Sequence, residues 1–237
     1  MWSNGRFEAA LEAALPVAIE VRPMKRAKRF RLRFDEAAGV LKLTCPWRTS
    51  RKRALAWAVE QRDWIQAQIA RAEPPQPFVP GMAFPLEGED VRLVWNESAP
   101  RAAELVAGEL RCGGPLAGLP RRTERFLRER ALETMSSEVR DYAAIVGVQA
   151  AKVSVGDASG RWGSCSATGR IRLSWRLILA PREVRRFVVA HEVAHLVHMD
   201  HGPEFKALER RLFGPGVPAA RAMLAEWGPR IRRVGRG

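Results

Sequence analysis

Histidine, tyrosine and cysteine are scarce in this 237-residue sequence, which has four, one and three of them. Cys45, Cys112 and Cys165 are odd in number and far apart, so they suggest neither a disulfide framework nor a C-x-x-C zinc knuckle. A reducing, cytoplasmic setting is the expectation that follows. No apolar run approaches the roughly 20 residues of a membrane helix, so no membrane association is expected. The N-terminal stretch lacks a basic leader and is interrupted by Glu8 and Glu12, which argues against a signal peptide. Internal repeats and low-complexity segments are missing too. Acidic residues are short in supply, 26 against 40 Lys and Arg, leaving a formal charge of +14. The excess is uneven: residues 1–72 hold fifteen basic side chains against seven acids, whereas residues 73–118 hold three against seven. Such a balance admits contact with nucleic acid or another polyanion, but no nucleic-acid-binding motif accompanies it. A basic surface without a motif is weak evidence for such a partner, and the alternative is an arginine-rich composition spread over solvated faces.

What is present is a chain that is 46% hydrophobic, long enough to bury a core in one or two domains. Residues 17–22, 28–34 and 41–46 alternate as strands, the last following the turn-forming DEAAG, and predict a basic β-meander. A Thr/Ser cap then opens an amphipathic helix of about five turns carrying Leu55, Trp57, Val59, Trp64, Ile65 and Ile69, stopped by the prolines of EPPQP. Short strands are expected at 82–86, 91–95 and 104–111. From Pro120 the pattern becomes a long helix with Gly147 as its C-cap, then strands through KVSVGDASGRWGSC and GRIRLSWRLILAP with a turn at 167–169. A helix from Pro181 through the histidines and two shorter ones after it complete the chain. The expected fold is α+β, with residues 1–118 as an N-terminal region of β-meander, helix and short strands, and residues 119–237 as a second domain that holds the histidines.

All four histidines, His191, His195, His198 and His201, fall within eleven residues, in HEVAHLVHMDHGPEF. On an α-helix, residues four apart are separated by about 400° of turn and share a face about 6 Å apart, so His191 and His195 can grip one zinc ion. Glu192 is rotated about 100° from His191, close enough to reach a water on the metal and too far round to be a natural ligand. That is the geometry of a general base in a zinc hydrolase. A catalytic zinc takes a third protein ligand and leaves one position open. His198 on an unbroken helix would lie about 10.5 Å along the axis from His191, a strained partner. His201 can return to the metal if the chain turns at Met199–Asp200 before Gly202-Pro203. The interval from His195 to His201 matches the spacing of metzincins, but His198 stands where they carry glycine.

HEVAHLVHMDHGPEF, together with SGRWGSCSATGRIRLSWRLILAP upstream and the R-D-W-I of Arg62–Ile65, resembles the YgjP-like metallopeptidases and, more distantly, the SprT-like proteases. The resemblance spans most of the chain and is most specific in its C-terminal half. It implies a zincin-like core, a zinc helix packed on a small antiparallel or mixed sheet, with His201 as third ligand beside His191 and His195 and one Zn2+ per chain. It further implies a metallopeptidase in which a zinc-activated water attacks a peptide carbonyl, with Glu192 as base. His198, Arg161 and Tyr142 are candidates for oxyanion stabilisation or for supporting the ligands, and Trp162, Gly163 and Ser164 for a strand against which an extended peptide docks. Asp200 is a further candidate to orient a ligand imidazole, or a turn residue. Two alternatives stand beside this reading: a nucleic-acid-associated protein with a structural zinc, and a SprT-like protease recruited to DNA by its basic surface.

Overall fold

The computed structural model describes residues 3–35, 38–71, 74–158 and 160–237. It divides into two compact units, residues 1–74 and 75–237. The turn expected over 35–39 and the helix stop over 73–77 fall partly outside the described residues. The sequence reading divides the chain at 118/119 instead. The intervening block goes with the C-terminal unit because Phe84, Leu86, Val91, Leu93, Leu110 and Cys112 are buried in the same core as Leu127, Trp175 and Val189.

In the N-terminal unit, α1 (Ser3–Ala13) precedes β1 (Ile19–Met24), β2 (Arg31–Asp35) and β3 (Val40–Pro46), followed by α2 (Arg51–Glu60) and α3 (Arg62–Arg71). The three strands are not a meander. Their order is β1-β3-β2, with β1 parallel and β2 antiparallel to β3. β3 takes the centre because it buries Leu41, Leu43 and Cys45 at alternate positions, the most apolar face of the three. The single long helix expected after it is broken at Gln61, where φ −90 and ψ 16 leave the helical region. Ser50 caps α2 as expected, its Oγ accepting from the Arg53 N–H at 3.3 Å. Ala54 and Ala58 of α2 and Ile65 of α3 share one core with the sheet.

The C-terminal unit opens with β4 (Ala83–Leu86), β5 (Glu89–Asn96), β6 (Glu104–Val106) and β7 (Glu109–Gly113), a mixed sheet ordered β4-β5-β7-β6. Its two hairpins turn on Glu87-Gly88 and Ala107-Gly108, all four residues at positive φ, as two-residue turns matched to strand twist require. The expected strand over 104–111 is therefore a hairpin. α4 (Leu119–Ile145) runs to Gly147, whose φ of +69 closes the helix with Val148 N–H donating to the Ala143 carbonyl. β8 (Lys152–Gly156), β9 (Gly163–Cys165) and β10 (Arg170–Ser174) form a second mixed sheet ordered β8-β10-β9. Residues 175–179, read from sequence as strand, are a 3₁₀ turn whose side chains are all buried.

α5 (Arg182–Ala194) is buried on nearly every side, by α4, by α6 (Pro203–Phe213), by α7 (Val217–Arg233) and by β9 and β10. A helix enclosed in this way has little freedom to shift, so what it carries is held in place. Its one buried cation, Arg185, is matched by Glu138 of α4 at 3.0 Å and by Glu87 of the first hairpin at 2.9 Å. Removing one member of a buried pair leaves an uncompensated charge. Glu138→Ala is expected to lower unfolding free energy by about 3 kcal/mol, read as a fall in the urea midpoint, while Glu138→Leu with Arg185→Met recovers most of the loss.

Candidate metal centre

α5 stops at Ala194, with His195 as its cap, so the helix ends earlier than the expected run to Met199. The His198 N–H bonds the Ala194 carbonyl at 3.0 Å, and Asp200 Oδ1 accepts the Gly202 N–H at 2.8 Å, which turns the chain into α6. Asp200 is thus a turn residue. The reversal carries His201 back over the end of α5, and the ligand nitrogens of His191, His195 and His201 all lie within 4.8 Å of one another. His191 Nε2 and His201 Nε2 are 3.4 Å apart, the separation of about 3.4 Å that two nitrogens adopt on one tetrahedral ion at roughly 2.0–2.1 Å.

The tautomers favour the same arrangement. His195 Nδ1–H donates to the His198 carbonyl at 2.9 Å, which can only accept, so Nε2 keeps its lone pair. His191 Nδ1–H donates to Glu209 Oε1 at 2.7 Å with the same consequence. Glu209 is 2% exposed, sits on α6, and has its other oxygen 3.3 Å from Arg221. A carboxylate behind an imidazole fixes ring orientation and raises basicity. Phe205, one turn earlier on α6 and fully buried, packs against all three rings at centroid distances of 5.0, 4.5 and 4.8 Å. The sequence reading singles out neither Glu209 nor Phe205: their i, i+4 spacing puts them on one face of α6 but does not say what that face meets. A donor set of three imidazoles suits a divalent transition metal.

Glu192 follows His191 on α5 and is buried against β9. Its side chain is 5% exposed by residue, and Oε2 has no hydrogen-bond partner among the described residues. Burial pushes its carboxyl up to about 7, with the Arg161 guanidinium pulling the other way. The carboxylate packs on Gly163, where an added Cβ would fall 2.4 Å from Oε1, so only glycine fits. His195 is held below the usual imidazole range by burial, and the charges of His191 and His201 act in the same direction.

The remaining candidates are dispersed. His198 is turned away, with Nδ1 3.6 Å from Glu204, and serves the site through its backbone carbonyl. The Tyr142 hydroxyl accepts from Arg186 Nε at 3.1 Å, and no hydrogen bond or ring contact joins it to the histidines among the described residues. Arg161 is exposed and acts on Glu192 through charge. Trp162 lies under Arg232 at 4.0 Å and against Gly228 of α7. Ser164 pairs with Arg172 across β9 and β10. Cys165 is partly buried, and burial with the Glu192 charge pushes its thiol up.

The YgjP-like metallopeptidase domain matches residues 28–226, most of the chain. The chain belongs to the YgjP-like family. Membership makes it a metal-dependent hydrolase of the peptidase class, acting on peptide or protein. No curated protein matches the sequence. The crystal structure of the metallopeptidase zymogen of Pyrococcus abyssi abylysin is similar over 42% of this chain and 97% of its own, at 18% identity and a TM-score of 0.36, too slight a likeness to argue from. Among the described residues no helix is long and apolar enough to cross a membrane.

The Glu209 contact has a measurable consequence. Glu209→Gln keeps the shape but loses the charge behind His191, and metal affinity measured by chelator competition is expected to fall about 10- to 100-fold.

Proposed function

We propose that the chain is a zinc peptidase in which His191, His195 and His201 hold the ion and Glu192 is the general base. The observation that carries this reading is that Glu192, buried and with an oxygen that has no hydrogen-bond partner among the described residues, directly follows His191 on the helix whose two histidines converge with His201. Zinc, when bound, supplies a Lewis acid that polarises the substrate carbonyl and makes water a competent nucleophile near neutral pH. Glu192 takes the proton from the attacking water and passes it to the leaving amine. Burial suits it to this work, since a carboxyl raised towards neutrality both accepts and returns a proton readily. A structural zinc would want a fourth protein ligand and no carboxylate of this kind. His198, the local choice for that ligand, is directed at Glu204 instead.

β9 is the substrate strand in this reading. It is an edge of its sheet. Ser174 N–H donates to the Trp162 carbonyl at 2.7 Å and Ser166 N–H to the Arg170 carbonyl at 3.0 Å, so the even-numbered residues of this segment turn their backbone groups inward to β10. Gly163 and Cys165 therefore offer theirs outward. An extended peptide adding at that edge would run past Gly163 and hence past Glu192. Glu192→Gln is expected to retain stoichiometric zinc while hydrolysis of an unstructured protein falls at least about 100-fold. Equal activity in the two proteins would remove Glu192 from the mechanism.

A further inference from the structure

The face of β9 and β10 turned away from the core carries a feature that the chemistry above does not use. Ile171 and Leu173 are buried inward, so Arg172, with Ser164 opposite it, stands on the outer face. There a cavity of about 200 Å³ is bordered by Arg161, Trp162, Gly163, Ser164 and Arg172. The Arg172 guanidinium lies over Gly156 of β8, where an added Cβ would meet Nε at 2.4 Å. Neither Arg161 nor Arg172 makes an ion pair or a side-chain hydrogen bond among the described residues. Asp157, the acid on the same cavity, is already taken: Arg176 Nε reaches it at 2.8 Å and Arg236 at 2.7 Å. Two cations thus converge on a cavity whose own carboxylate is neutralised. Gly163 belongs both to this cavity and to the wall that touches Glu192.

The geometry points to a carboxylate-recognition subsite on the outer face of β9 and β10, built by Arg161 and Arg172, which takes an acidic side chain or the C-terminal carboxylate of a peptide substrate. It rests on the peptidase reading. Residues of an added strand that lie opposite Ser164 put their side chains on the same face as Ser164, towards the cavity, while their neighbours face Glu192. A carboxylate within a few residues of the reacting bond then meets two guanidinium groups, whose fork geometry matches it. Trp162 forms a fixed wall, since Arg232 and Gly228 hold its ring.

Binding separates this subsite from catalysis. Seven-residue peptides of one neutral sequence are titrated calorimetrically into zinc-loaded Glu192→Gln: one blocked at both ends, a blocked set with a single Glu at each position in turn, and one with a free C-terminus. At least one of the carboxylate-bearing peptides is expected to bind about tenfold or more tightly than the blocked neutral one, and which one does so identifies the source. Adding Arg172→Gln, a change at an exposed side chain, is expected to bring the favoured peptide down to the neutral level. Arg172 is the cleaner variant because Arg161 also acts on Glu192. Equal binding of all the peptides overturns the proposal, as does a preference that survives both Arg172→Gln and Arg161→Gln, which would send the carboxylate to the metal. If the preference is present but the wild-type chain hydrolyses none of the peptides, the subsite stands and the peptidase reading is what fails. Hydrolysis without the preference sinks the subsite alone.

Discussion

The reversal of the chain after Ala194 is the constraint on which the site depends. α5 brings two histidines and a glutamate out of a buried core, but a helix alone cannot wrap three ligands around one point. The His198 carbonyl accepts from His195, Asp200 caps Gly202, and α6 starts at Pro203. One short segment thereby orients one imidazole, delivers another, and places Phe205 beneath all three rings. Its polar bonds are local, while its position is set by the burial of α5 and α6 against each other.

Burial then separates the functional groups by chemistry. The carboxylate behind His191 is buried and doubly engaged, by imidazole and by Arg221, so its charge is matched. Glu192 is as deeply enclosed yet has an oxygen with no partner among the described residues, and its proton affinity rises. Two glutamates on adjoining helices thus differ in role because one has neighbours that satisfy it and the other does not. An unsatisfied buried carboxylate costs stability, and such costs concentrate where function needs them.

Much of this was legible in the sequence because it is local. His191, Glu192 and His195 are related by helical spacing alone, Gly147 by the end of a periodic pattern, and His201 by the break that Gly202-Pro203 announces. Glu209 was not legible, because its meaning depends on α6 lying against α5, eighteen residues from the imidazole it touches. The same reason hid the strand order of the N-terminal unit: alternation identifies β1, β2 and β3 but says nothing of which takes the centre. A boundary at 118/119 follows the change to a long helical pattern, which is local, whereas the membership of residues 78–112 in the core of α4 and α5 depends on packing that no local pattern shows.

The central claim is that three imidazoles hold the ion and leave a position open for water. X-ray absorption at the zinc edge of the metal-loaded chain tests it most directly. Three imidazole nitrogens at about 2.0–2.1 Å with one non-imidazole oxygen are predicted. A fourth imidazole, which would have to be His198, or a sulfur at about 2.3 Å would contradict it.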